Sequence, residues 1–187
     1  MNIILASQSP RRKELMKLLS LPFTVRVADI DETMDPAKSP YEEVARVSRQ
    51  KAEAIPCEKE DIVIAADTIV VCENKVLGKP ANDEEAFQTL SLLSGKAHQV
   101  MTGLTVRQGD RIVTCTEVSD IYFRSLSRED ILRYIATGDC RDKAGAYGIQ
   151  SGGALFVEKL VGDYYNVMGL PVCRLNLILK PFLEETP

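Results

Sequence analysis

The sequence lacks any apolar run near the ~20 residues that a bilayer-spanning helix needs, and it has no charged leader followed by an apolar stretch. A cytoplasmic protein with no membrane partner is therefore expected. Cysteine is sparse and scattered: Cys57, Cys72, Cys115, Cys140 and Cys173 are odd in number and form no Cys-x-x-Cys. That spacing suits neither a disulfide framework nor a zinc site, so the thiols read as reduced, in the core or at the surface. His98 is the only histidine, which leaves a Ser-His-Asp triad without support. No Gly-x-Gly-x-x-Gly follows a strand, and Ser94-Gly95-Lys96 lacks the upstream glycine of a P-loop. The net charge of −4 disfavours a nucleic-acid partner, because phosphate contacts supply most of that affinity. It leaves room for a phosphorylated small molecule wherever the few cations converge. Internal repeats, low-complexity tracts and linkers are missing too.

What remains is an ordinary globular composition, 45% apolar and 27% charged over 187 residues. A chain of that length hides roughly two-thirds of its unfolded surface, which fits one domain over residues 1–187. Ile3 to Ser7 reads as a short buried strand. Ser9-Pro10 then opens a helix that closes at Leu21-Pro22. Phe23 to Ala28 alternates as a strand and leads into the acidic loop 29–36. Ser39-Pro40-Tyr41-Glu42 predicts a capping box and a helix to about Ala54.

Ile62 to Ala66 is a second buried strand that ends in Asp67-Thr68 before the apolar run resumes at Ile69. Glu73-Asn74 is a hairpin tip returning through Val76-Leu77 to Gly78-Lys79-Pro80. Asn82 and Glu85 cap a helix that Gly95 stops. Two long strands, His98 to Val106 and Ile112 to Phe123, flank a turn at Gln108-Gly109-Asp110. A helix from Ser127 to Gly138, a glycine-rich stretch from Gly145 to Gly153, a strand from Ala154 to Lys159, a turn at Gly162-Asp163 and a helix from Pro171 complete the chain. Strands and helices interleave, while the hairpins argue against a purely parallel sheet. The fold class is α/β, with a mixed, elongated, twisted sheet flanked by helices and two lobes around a central cleft.

Two places carry a chemical signal. Arg11 and Arg12 lie in the first turn of a helix, where cations are disfavoured by roughly 0.3–1 kcal/mol each and an anion is welcome. Asp67 interrupts an apolar run, which is costly unless the carboxylate is paired or binds a metal. The acidic loop adds Asp31 and Glu32, and Lys51 and Lys79 supply two further cations. Together these groups resemble equipment for phosphate chemistry, with cations for a polyphosphate and carboxylates for Mg²⁺ or Mn²⁺ or for activating water.

Four segments, in this order and spacing, resemble the Maf family of septum-formation-inhibitor-like nucleotide pyrophosphatases. They are Leu5-Ala6-Ser7-Gln8-Ser9-Pro10-Arg11-Arg12, Ala66-Asp67-Thr68-Ile69-Val70, Gly78-Lys79-Pro80 and Lys143-Ala144-Gly145-Ala146-Tyr147-Gly148-Ile149-Gln150. The resemblance runs from residue 3 to about residue 173. It implies a fold related to the inosine triphosphate pyrophosphatases and hydrolysis of a nucleoside triphosphate between its α and β phosphates. It further implies Asp67 as general base, Ser7, Arg11, Arg12, Lys51 and Lys79 around the phosphates, and Glu32 as an acidic partner of a divalent metal beside Asp67.

Positions matching Arg11, Thr68 and Gln150 are linked in the family to substrate choice. The Gly-Ala-Tyr-Gly-Ile-Gln run resembles the subgroup acting on dTTP and UTP rather than on 7-methyl-GTP. An amide can pair with both the carbonyl and the N–H of a uracil edge, which agrees with Gln150 in that role. A second reading is a nucleotide-binding regulator of septum formation without physiological catalysis. A homodimer is compatible with either reading.

Overall fold

The computed structural model describes residues 1–27 and 29–184; the end of the second expected strand, Ala28, lies outside them. Among the described residues seven strands and six α-helices interleave along the chain. The strands are β1 (Ile3–Ala6), β2 (Thr24–Arg26), β3 (Ile62–Cys72), β4 (Lys75–Leu77), β5 (Ala97–Gln108), β6 (Arg111–Phe123) and β7 (Val157–Val161). The helices are α1 (Pro10–Lys17), α2 (Pro40–Glu53), α3 (Asp83–Leu93), α4 (Arg128–Ile135), α5 (Tyr164–Met168) and α6 (Val172–Glu184). The sheet order is β2-β1-β3-β5-β6-β7, with β4 also paired to β3. β1 runs parallel to β2 and β3, whereas β3–β4 and β6–β7 are antiparallel. The sheet is mixed, as the alternation of helices and hairpins predicts.

The chain divides into two compact units. The first comprises residues 1–67, 102–117 and 169–187. Its core gathers Ile4, Ala6, Ala52, Ile55, Val63 and Ala65 from β1, β3 and the end of α2. The second comprises residues 68–101 and 118–168, and its core is built around Leu90, Leu93, Ile121, Phe123, Tyr134, Tyr147 and Phe156.

Local chemistry sets where the helices begin. Ser9 caps α1 by accepting from the Arg12 amide, with Pro10 at the first helical position. Asn82 accepts from the Glu85 amide at 2.9 Å to start α3, and Ser127 with Asp130 forms a complete capping box on α4. The box expected at Ser39 does not form: Ser39 flanks α2 without a side-chain bond. One turn on, Glu43 instead turns its carboxylate to Arg46 and to the amide of Asp35. Glu43, Val47 and Lys51, spaced by four, share the buried face of α2. Gly103 of β5 lets that helix approach closely, since a Cβ there would stand 2.2 Å from the Val44 carbonyl oxygen. Ser48 and Thr105 add a buried hydroxyl pair at 2.9 Å.

Three expectations along the chain need correction. Asp67-Thr68 does not end a strand: β3 runs unbroken through both residues, because strand pairing uses only the backbone and the carboxylate finds a cation. The strand expected from Ala154 starts at Val157, since Gly152–Phe156 coils into a 3₁₀ turn. The segment before Pro171 holds the short helix α5, which no periodic apolar pattern announces.

Candidate active site

In the first unit, β1 delivers Ser7 just past its last residue, α1 carries Arg11 and Arg12, α2 carries Lys51 and β3 carries Asp67. The Lys51 ammonium donates to Asp67 Oδ1 at 2.7 Å and meets Glu32 Oε2 at 2.9 Å. Lys51 and Asp67 are both nearly closed to solvent, at 10% and 11% side-chain exposure, while Glu32 is 56% exposed. Two carboxylates thus converge on one cation from different elements. The pairing explains how a charge is tolerated inside an otherwise apolar strand.

Arg12 lies across the same neighbourhood. Its Nε donates to the carbonyl of Gly169 at 2.7 Å and its Nη1 to Ser7 Oγ at 3.4 Å. Gly169 has φ of +111°, a backbone state that favours glycine and that aims this carbonyl at the guanidinium. Burial pushes the Arg12 pKa below its ordinary value, opposed by Asp67 and Glu32 and assisted by the like charge of Arg11. Those causes place Arg11, Arg12, Glu32 and Asp67 in one electrostatic set. Ser7 Oγ also accepts from the Ser9 amide at 3.2 Å, which ties the β1–α1 turn together. The turn joins a hydroxyl, two guanidiniums and a helix N-terminus, an arrangement suited to an oxyanion.

The remaining expected residues belong to the second unit. Thr68 is half-buried on β3, directly after Asp67. Lys79 and Gln150 are exposed and make no side-chain hydrogen bond among the described residues. The Gly78-Lys79-Pro80 segment is fixed from within, because the Gly145 amide donates to the Gly78 carbonyl at 3.1 Å. The loop bearing Gln150 hangs on a buried polar network. Lys143 Nζ meets Asp139 Oδ1 at 3.0 Å and Asp142 Oδ1 at 2.7 Å; Ser151 and Tyr134 both donate to Asp139 Oδ2. The Tyr134 hydroxyl in turn accepts from the Gly148 amide. Burial alone would raise the Asp139 pKa, yet hydrogen bonds from Ser151, Tyr134 and Lys143 hold it below the ordinary value.

A divalent cation can be tested against this donor set. Among the described residues no three His, Cys, Asp or Glu side chains gather as a metal cage. Glu32 and Asp67 nonetheless reach a common cation, here the Lys51 ammonium. Mg²⁺ commonly uses one or two carboxylates and completes its shell with water and substrate phosphates. The two residues fit that pattern.

The family model described as Maf-like protein matches residues 2–182. The chain belongs to the Maf family. Relatives named dTTP/UTP pyrophosphatase from Bacillus cereus strains B4264 and AH187 are 47% and 48% identical over 181 residues. Each alignment covers 96% of this chain and 95% of the relative. Among solved structures, a HAM1 protein from Coxiella burnetii superposes with a TM-score of 0.53 at 17% identity, covering 97% of this chain and 99% of that one. The Staphylococcus aureus Ham1 protein gives 0.50 at 16% identity, covering 98% of both. At that identity the likeness concerns the fold alone.

Two residues of this Maf chain escape a motif-based reading. Glu43 and Arg46 contact the loop that carries Glu32, and the only sequence signal for them is their i, i+3 spacing on α2. The Gly169 carbonyl, which orients Arg12, has no side-chain signature.

Proposed function

We propose that this Maf-family chain is a nucleoside triphosphate pyrophosphatase that hydrolyses dTTP and UTP to the nucleoside monophosphate and pyrophosphate. The observation that carries the reading is the buried Lys51–Asp67 pair at 2.7 Å with Glu32 on the same ammonium. Its support on the substrate side is the dTTP/UTP pyrophosphatase name of relatives at 47% identity.

In this reading Arg11, Arg12 and Ser7 hold the triphosphate and offset its charge. Lys51 fixes Asp67 Oδ1 and neutralises its charge, leaving Oδ2 to take a proton from a water. That water's oxygen forms a bond to the α-phosphorus as the bond from phosphorus to the α–β bridging oxygen breaks. The electron pair leaves with pyrophosphate, and the water proton passes to Asp67. Such transfers depend chiefly on positioning and charge stabilisation, which this set of cations supplies. Glu32 and Asp67 would hold Mg²⁺ or Mn²⁺, which supplies further neutralisation of phosphate charge. Gln150 would select the pyrimidine through its carbonyl and N–H edge, and leaving that amide unpaired would penalise other bases.

Among the described residues no helix is long and apolar enough to cross a membrane. All five cysteines are free, which agrees with a reducing compartment and supports a cytoplasmic role in clearing pyrimidine nucleotides, CTP and modified forms included.

The test is product analysis in ¹⁸O-water with dTTP, UTP, CTP and 7-methyl-GTP. Thymidine monophosphate carrying the label, with unlabelled pyrophosphate, supports attack at the α-phosphorus. Release of thymidine diphosphate and phosphate would contradict the reaction. Tight nucleotide binding with no release from any triphosphate would favour a binding regulator of septum formation instead.

A further inference from the structure

We propose that Glu43 and Arg46 are positioning residues for this reaction: they clamp the backbone just beyond Glu32 so that its carboxylate meets the Lys51 ammonium. The inference rests on the proposed role of Glu32 and deepens it.

Glu32 sits on a stretch without helix or strand, between β2 and α2, and is more than half exposed. An ion pair whose carboxylate stands mostly in water contributes little, too little to order a loop of this length by itself. Something else must hold the chain there. Arg46 Nη2 donates to the Thr33 carbonyl at 2.8 Å, one residue past Glu32. Glu43 Oε2 accepts from the Asp35 amide at 2.8 Å, two residues further on. The same two side chains grip each other in a fork, with Arg46 Nε to Glu43 Oε1 at 2.9 Å and Nη2 to Oε2 at 2.8 Å. Arg46 Nη1 also reaches Gln50 Oε1 at 2.6 Å.

The fork is planar and preorganised, so little freedom is lost for each bond made. Glu43 is only 2% exposed, and a carboxylate so enclosed must be fully partnered. Hydrogen bonds from Arg46 and from the Asp35 amide bring its pKa down to about 2, so it stays ionised at neutral pH. Within the loop, Asp31 Oδ1 accepts from the Thr33 amide and Asp35 Oδ1 from the Ala37 amide, which makes the gripped segment rigid in itself. Because Glu43 and Lys51 lie on one face of α2, a single helix sets both the loop and the ammonium that Glu32 must reach.

The experiment combines amide hydrogen exchange with kinetics on Glu43→Gln, Arg46→Ala and the milder Arg46→Lys, which keeps the charge but not the fork. The clamp predicts about tenfold faster exchange at the Asp35 amide, with the α1 and β3 amides unchanged. It predicts a fall in kcat of about ten- to a hundredfold, as for other supporting residues of a catalytic site, with KM for dTTP nearly constant. In a Glu32→Ala background, Arg46→Ala should cost no further rate, because its effect runs through Glu32. Unchanged exchange at Asp35, or losses that multiply in the double variant, would overturn the proposal. Should Arg46→Ala fail to fold, Arg46→Lys and Glu43→Gln decide it by the same readouts. A wild type that releases no pyrophosphate would sink the proposed function, whereas the exchange at Asp35 would still decide whether these side chains hold the loop.

Discussion

Lys51 on α2 and Asp67 on β3, sixteen residues apart in sequence, meet at 2.7 Å with both side chains nearly closed to water. Neither charge would be stable at that depth alone, and each supplies the condition for the other. Nature rarely retains such a pair for stability only, because a well-packed apolar pair of similar volume often serves as well or better. Its place beside Glu32, Arg12 and Ser7 agrees with the chemical use proposed for it.

Removing the lysine should therefore cost stability as well as rate. Lys51→Met leaves Asp67 buried without the ammonium it accepts from, and about 3 kcal/mol of unfolding free energy should be lost. Urea denaturation with an unchanged m-value checks this; a midpoint equal to wild type would mean that Asp67 does not depend on Lys51.

Gly103→Ala should act on the site from a distance. Its Cβ would fall 2.2 Å from the Val44 carbonyl oxygen, and backbone cannot yield as a flexible side chain does. The variant should lose about 3 kcal/mol through displacement of α2, and turnover should fall because Lys51 rides on that helix. Thermal unfolding and pyrophosphate release, measured together, should drop in step.

His98 should make stability sensitive to mild acid. The ring is buried against Phe123 and Tyr147, its Nε2 lies 2.8 Å from the Tyr147 hydroxyl, and its Nδ1 has no partner among the described residues. Burial lowers its pKa from 6.5 to about 4. Below pH 6.5 the unfolded chain binds a proton that the folded chain refuses, so stability falls as pH drops from 6.5 towards 4. The full effect is about 3 kcal/mol at the acid end. Unfolding free energies at pH 7, 6 and 5 should fall less steeply in His98→Gln than in wild type. Carboxylates such as Glu43 and Asp130, with pKa values brought down to about 2, act at lower pH and are common to both proteins.

Gln150→Ala should change selectivity rather than chemistry. If its amide reads the base edge, kcat/KM for dTTP and UTP should fall by about ten- to a hundredfold relative to other triphosphates. A uniform fall across all substrates would point to a support role for the loop instead.

Much of this was legible from residue types alone, and the exceptions have physical causes. Ser9-Pro10, Asn82 and Ser127 announce helix starts because a cap is local chemistry between residues three apart. Ser7, Arg12 and Asp67 lie in the motifs that carry the family resemblance, Glu32 and Lys51 are implied by that resemblance, and the first unit brings the five together. Asp67 misleads as a strand break because the sequence shows its charge but not its partner on another element. Glu43 and Arg46 are silent for a related reason: what they hold is the backbone of a loop, and backbone carries no signature in a sequence. The start of β7 is set by the 3₁₀ turn before it, and α5, at five residues, is too short to carry a period.

The central claim is that Asp67 activates water within this site. Its most direct test is pyrophosphate release from dTTP by wild type and by Asp67→Asn, alongside dTTP affinity measured by calorimetry. Asparagine keeps the shape and loses the base, so turnover should drop by about 10²–10³ while affinity stays within a few fold. Turnover equal to wild type in Asp67→Asn would contradict the account.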